Sequence, residues 1–104
     1  MVNIKTDDQG YLIDFNSWDK DTAIIIASSE GITLNESHWE IIEQLRLFYK
    51  TFNDTPSMRP LTKWLNKNIS KEKSSSIYLY KLFPNGPAIQ GCKIAGLPKP
   101  AHCL

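Results

Sequence analysis

Residues 35–56 read NESHWEIIEQLRLFYKTFNDTP. Trp39, Ile42, Leu45, Tyr49 and Phe52 recur every three or four positions. That spacing lines side chains up on one face of an α-helix. Glu36, Glu40, Gln44 and Lys50 fall on the other face. Asn35 stands where an N-cap belongs, its side-chain oxygen able to accept from an orphan N–H of the first turn. Asn53, Asp54, Thr55 and Pro56 stop the helix. The stretch predicts a long amphipathic helix, and its neighbours must supply the surfaces it packs on.

Toward the C-terminus a third helix presents Met58, Leu61, Trp64 and Leu65 inward. A start at Ser57 puts Pro60 in the first turn, where proline is tolerated. Residues 66–73 form a polar connection. Ser75 or Ser76 then caps a fourth helix through Tyr78, Leu79 and Leu82, and Pro84, Asn85 and Gly86 make a turn. Toward the N-terminus, residues 23–27, AIIIA, form the heart of a first helix behind the capping candidates of residues 17–21, with Gly31 past its end. The β-branched run makes a strand the competing reading. Val2 and Ile4, the turn signal Asp7-Asp8-Gln9-Gly10, and Tyr11, Ile13 and Phe15 alternate as in a short β-hairpin or meander. The expected class is therefore α+β: a predominantly helical bundle of about five helices, a small N-terminal antiparallel hairpin, and a flexible C-terminal arm.

With 104 residues the chain makes a single domain with one modest core. Its 12 basic and 11 acidic residues nearly cancel, which gives no support for a general nucleic-acid or membrane-surface binder. The opening MVNIKTDDQG lacks the apolar run of a signal peptide, and residues 23–27 are far too few to span a bilayer. A cytoplasmic location is the expectation, and there two cysteines are chemical more often than structural.

Both cysteines sit in residues 86–104, GPAIQGCKIAGLPKPAHCL. Pro87 suits the first turn of a short helix, and Gly96 suits the left-handed residue that closes it. Pro98 and Pro100 forbid continuation and favour an extended stalk. Residues 96–104 are read as a mobile arm with Cys103 next to its tip. Stretched at ~3.3 Å per residue, the segment between Cys92 and Cys103 reaches at most ~36 Å. A disulfide needs Cα atoms ~5.5–6 Å apart, so pairing requires the arm to fold back. From Lys73 to the end there is no acidic side chain. Lys99 and His102 flank Cys103, and positive charge favours the thiolate.

Each of these residues also has a plainer reading. Cys92 shares a face with Ala88, Ile89 and Ala95 and suits core packing. Arg59 reads as a solvated helix charge, and His38 as a capping or packing residue. His102 and Cys103 point opposite ways on an extended chain, which disfavours a catalytic dyad. Cys92, Cys103, His38 and His102 fit no common zinc spacing. A helix–turn–helix over residues 36–66 would suggest a regulatory or nucleic-acid-binding module, but its second helix offers only Arg59, Lys63 and Lys67 as cations.

The run LFPNGPAIQGCKIAGLPKPAHCL resembles the C-terminal signature of the DsrC/TusE family of small sulfur carriers. The similarity continues through HWEIIEQLRLFY (residues 38–49), EKSSSIYLYKLFP (residues 72–84) and Gly10-Tyr11-Leu12, nearly the whole chain. The resemblance implies an α+β fold and a persulfide accepted on Cys103. It also implies Cys92 as the second cysteine of DsrC members, able to resolve the adduct, and Arg59 as the arginine held near the terminal thiol. Lys99 is a further candidate for stabilising a thiolate or persulfide. Ala101-His102 in place of the usual Thr-Gly, and Pro60 after Arg59, depart from the pattern. No cofactor is implied. The implied partners are an upstream donor complex of the TusBCD or DsrEFH type, and downstream either a tRNA thiolase of the MnmA type or dissimilatory sulfite reductase. Nucleic acid enters only through the acceptor enzyme. Of the two branches, tRNA wobble-uridine 2-thiolation is preferred, and a Cys92–Cys103 trisulfide or disulfide cycle with sulfite reductase is the alternative.

Overall fold

A computed structural model describes residues 4–100. Val2, His102 and Cys103, used in the reading above, lie outside the described residues. Five α-helices follow one another there: α1 (Lys20–Ser29), α2 (Glu36–Phe52), α3 (Met58–Asn68), α4 (Ser76–Leu82) and α5 (Pro87–Ile94). Single 3₁₀ turns sit at Phe15–Ser17 and Glu72–Ser74.

Capping chemistry sets the helix starts. The Asp19 carboxylate accepts from the N–H and the hydroxyl of Thr22, both at 2.8 Å, and these bonds, the backbone one first, lower its pKa. Asn35 Oδ1 accepts from the N–H groups of Ser37 and His38. Ser75 Oγ accepts from the N–H of Tyr78. Ser57 precedes α3, so Pro60 falls at its third position, where the ladder uses no N–H. The Ile run of α1 is helical: Ile26 is buried while Ile24 and Ile25 stay half-exposed.

α5 is the hub. It packs against α1, α2, α3 and α4, and Ala88, Gln90, Gly91, Cys92 and Ile94 are all buried. Apart from Gln90 and Lys93 its residues are apolar or small, which suits an interior helix that lets neighbours approach closely. A Cβ on Gly91 would stand 2.9 Å from Leu45 Cδ1. Around α5 lie Leu45, Leu61, Leu65, Leu79 and Phe83, none with exposed surface.

His38 ties the start of α2 to the end of α4. Its Nδ1 accepts from the Asn35 N–H at 3.2 Å, which leaves Nε2–H to donate to the Leu82 carbonyl at 2.8 Å. The ring meets Phe83 edge-on at 5.3 Å. The packing reading of His38 is thus the structural one. Removing two hydrogen bonds, one of them buried, and a ring costs about 2–4 kcal/mol. We expect His38→Ala to lower the urea midpoint accordingly; a midpoint within error of the wild type would show that the cross-link contributes nothing.

The expected N-terminal hairpin is not formed: among the described residues there is no β-strand, only an isolated antiparallel bridge between Thr6 and Leu12. Two features end the pairing. Tyr11 and Leu12 are both buried while Ile13 is 67% exposed, and consecutive residues of a strand cannot share one face. The Asp7 carboxylate accepts from the N–H groups of Gln9 and Tyr11, a local turn that competes with a ladder. The segment instead lies on α5, where the Tyr11 hydroxyl donates to the Ile89 carbonyl at 3.2 Å. No helix among the described residues is long and apolar enough to cross a membrane.

Candidate functional site at the root of the C-terminal arm

α5 ends as the sequence predicts. Gly96 takes φ +74. The Leu97 N–H donates to the Cys92 carbonyl at 2.9 Å, and the Gly96 N–H to the Lys93 carbonyl at 3.2 Å. This pair of bonds is the Schellman closure. Leu97 is fully buried, Pro98 and Lys99 are exposed, and Pro100 is buried again. Residues 96 and 97 therefore belong to the body, Pro98 and Lys99 stand out from it, and Pro100 returns to it.

Two side chains that the sequence reading passed over complete the helix end. Trp18 Nε1–H donates to the Ile94 carbonyl at 2.9 Å. Arg46 Nη1–H donates to the Ala95 carbonyl at 2.6 Å. With the Ala95 N–H on Gly91, every carbonyl of residues 91–95 has a donor. The Arg46 guanidinium lies between two rings, its carbon 4.1 Å from the centroids of both Phe15 and Trp18. Burial lowers its pKa from the ordinary guanidinium range, yet an arginine keeps its charge in proteins. A cation here also complements the partial negative charge of the α5 C-terminus. The Trp18 ring covers Gly96 so closely that a Cβ there would stand 2.3 Å from Trp18 Cδ1.

Arg46 left a legible signal. It follows Ile42 by four positions and precedes Tyr49 by three, so it sits on the apolar face of α2, where a solvated arginine does not belong.

The Cys92 thiol is fully buried among core side chains. Burial pushes its pKa from 9.0 up to about 12, because the thiolate would lose its hydration. In this conformation the group is a proton-bearing apolar filler. A thiol is neutral when protonated, so a raised folded pKa means that the folded state holds the proton more tightly. The resulting stability is complete below pH 9 and is lost as pH rises from 9 toward 12, at about 1.4 kcal/mol per pH unit. We expect the stability advantage of wild type over Cys92→Ala, measured by urea unfolding, to shrink over that window. Parallel curves would show that the thiol ionises freely in the folded chain.

Arg59 is exposed in the first turn of α3 and lines an open cleft of about 450 Å³ with Met58, Thr62 and Ser76. Among the described residues no hydrogen bond or ion pair reaches its guanidinium. Lys99 is exposed on the arm. Neither touches Cys92, and Cys103 lies outside the described residues. Lys93 turns inward to Glu30 at 3.5 Å. Among the described residues no three His, Cys, Asp or Glu side chains come together as a metal site.

With this geometry in hand, comparison with known proteins is informative. The family model described as "DsrC like protein" matches residues 1–104. The chain is 50% identical over 101 residues to Sulfurtransferase TusE of Pectobacterium atrosepticum, covering 97% of this chain and 93% of that protein. It is 48% identical over 101 residues to Sulfurtransferase TusE of Escherichia coli, with the same coverage of 97% and 93%. The NMR structure of Allochromatium vinosum DsrC superposes with a TM-score of 0.88 at 44% identity, over 97% of this chain and 90% of that one. The oxidised γ-subunit of dissimilatory sulfite reductase (DsrC) from Archaeoglobus fulgidus gives a TM-score of 0.83 at 38% identity, over 97% of this chain and 92% of that one.

Proposed function

The chain belongs to the DsrC family, and from that premise we propose that it is a cytoplasmic sulfur carrier with Cys103 as its acceptor. The Cys103 thiolate attacks the outer sulfur of a donor persulfide. A new S–S bond forms on Cys103, the donor S–S bond breaks, and the donor leaves as a thiolate. The sulfur keeps its oxidation state, so the step needs no cofactor. The observation that carries this reading is the sequestration of Cys92. With one thiol buried and protonated, Cys103 is the sulfur left to react, at the end of an arm rooted in the core helix.

The sulfur then passes to an acceptor enzyme. The TusE relatives favour a relay from a TusBCD-type donor complex to a tRNA thiolase. The buried state of Cys92 fits a relay that uses one cysteine. The second reading, a partner of sulfite reductase with both cysteines in the cycle, is favoured by the presence of Cys92 and by the DsrC structures. In that cycle the Cys92 thiol attacks the inner sulfur of the Cys103 persulfide, giving a disulfide and hydrogen sulfide. Arg59 and Lys99 would steady the anionic sulfur as fixed cations.

The test is tRNA 2-thiouridine content in a strain lacking this chain. Restoration by both the wild type and Cys92→Ala supports the one-cysteine relay. Failure of wild type to restore it, with a sulfite-reductase phenotype in its place, moves the protein to the second reading.

A further inference from the structure

Residues 55–71 contain no acidic side chain and carry Arg59, Lys63, Lys67 and Lys71. The chain's net charge of +1 rests on this segment, without which the chain would be acidic. Arg59, Lys63 and Lys67 recur every four positions along α3 and form one basic edge. All three are exposed, and among the described residues no hydrogen bond or ion pair reaches their side-chain nitrogens. Beside that edge, the end of α2 and the start of α3 leave an open cleft of about 330 Å³, lined by Phe48, Phe52, Pro60, Lys63, Trp64 and Lys67. Its floor is aromatic. Phe48 and Phe52 meet the Trp64 ring nearly at right angles, with centroids 5.3 and 5.7 Å away. Trp64 Nε1–H donates to Gln44 Oε1 at 2.9 Å, which pins the ring. Phe52 is 56% exposed, so a large apolar side chain stands in water where the fold gains little from it.

We propose that this cleft docks a segment of a partner protein that carries a bulky apolar side chain flanked by Asp or Glu. The apolar anchor fills the cleft, and the carboxylates meet Lys63 and Lys67 on its rim. Rings already held in place lose little freedom on binding. Charge decides the occupant. A second copy of this chain would gather Lys63 and Lys67 of both copies round one patch, because an isologous contact sets a surface against itself. Single-stranded RNA is held chiefly through its phosphates, and the three cations of this edge neutralise few of them. An acidic amphipathic segment matches both the floor and the rim. The proposal does not depend on the sulfur-carrier reading: a partner docked here is held whether or not it exchanges sulfur.

The test titrates the full chain with an amphipathic peptide built of Glu, Leu and Phe, and with a counterpart in which every Glu is Lys. The indole N–H signals of Trp18, Trp39 and Trp64 are followed by NMR. We expect the acidic peptide to move the Trp64 signal saturably, with the other two unmoved, and binding to weaken as salt rises. Phe52→Ala should weaken it at least about 5-fold, the loss expected of an interface anchor. Lys63→Glu with Lys67→Glu should weaken it at least about 10-fold and transfer the preference to the basic peptide. Thermal melts verify that the variants fold, and if Phe52→Ala does not, the charge reversal decides. Equal binding of the two peptides, an unmoved Trp64 signal, or a wild-type affinity in either folded variant would each overturn the proposal. So would dimerisation that depends on Phe52 in sedimentation. Binding of oligouridine or of anionic lipid vesicles that depends on Phe52, and is tighter than that of the acidic peptide, would overturn it as well.

Discussion

Cys103→Ser should take up no sulfur at all, while Cys92→Ala takes it up like the wild type. The reaction needs a thiolate, and serine cannot supply an equivalent nucleophile near neutral pH without a base beside it. No second thiol substitutes, because Cys92 is buried with a pKa pushed up to about 12. At pH 8 that leaves roughly one thiolate in ten thousand before access is considered. Incubation with polysulfide followed by intact mass measurement should show a gain of one sulfur atom in wild type and in Cys92→Ala. In Cys103→Ser it should fall by at least about a thousandfold. A Cys103→Ser chain that gains sulfur at the wild-type rate would move the chemistry to Cys92 and end the present assignment. Mild oxidation separates the two family branches further. Loss of two hydrogens from wild type requires the last turn of α5 to open, because the Cys92 thiol is enclosed and its carbonyl is bonded to Leu97.

Much of the helical fold is legible in the residues because local chemistry and tertiary packing agree there. Asn35, Ser57 and Ser75 occupy the N-cap positions of α2, α3 and α4, and Pro87 and Gly96 bracket α5. The hairpin does not form because alternation at Tyr11, Ile13 and Phe15 is a local signal, whereas the segment answers to a distant surface. Tyr11 and Leu12 bury against the bundle together, and the polar atoms of Tyr11 and Trp18 go to α5. Phe52 shows the same limit on a smaller scale. It continues the apolar stripe of α2, yet it is 56% exposed and meets Phe48 and Trp64 at the edge of the bundle. At the site, Cys92 and the arm are visible as residue types at meaningful positions. The bonding of Trp18 and Arg46 is not, because it joins residues 18 and 46 to residues 94 and 95, and no spacing within the sequence links them. What the sequence does offer is an arginine on the wrong face of a helix, a conflict between pattern and residue of the kind that marks function or strain.

The second large effect lies at Gly96, and Gly31 supplies its control. Both glycines have left-handed backbone, φ +74 and φ +77, and both follow helices. Alanine at either pays the same conformational cost, about 1–2 kcal/mol. They differ in what a new Cβ meets. At Gly31 nothing lies within 4 Å, but at Gly96 the Trp18 atoms Cδ1, Cγ and Cβ stand at 2.3, 2.8 and 3.0 Å. That ring cannot simply step aside, because its N–H holds the Ile94 carbonyl and its face carries Arg46. Gly96→Ala should therefore cost about 3–5 kcal/mol against about 1–2 for Gly31→Ala. A domain of this size loses roughly 4–8 °C of Tm per kcal/mol, so a difference of about 2–3 kcal/mol should part the two melting temperatures by roughly 10–20 °C. Matching melting temperatures would mean that Trp18 moves away freely. In that case the ring is a loose cover over the end of α5.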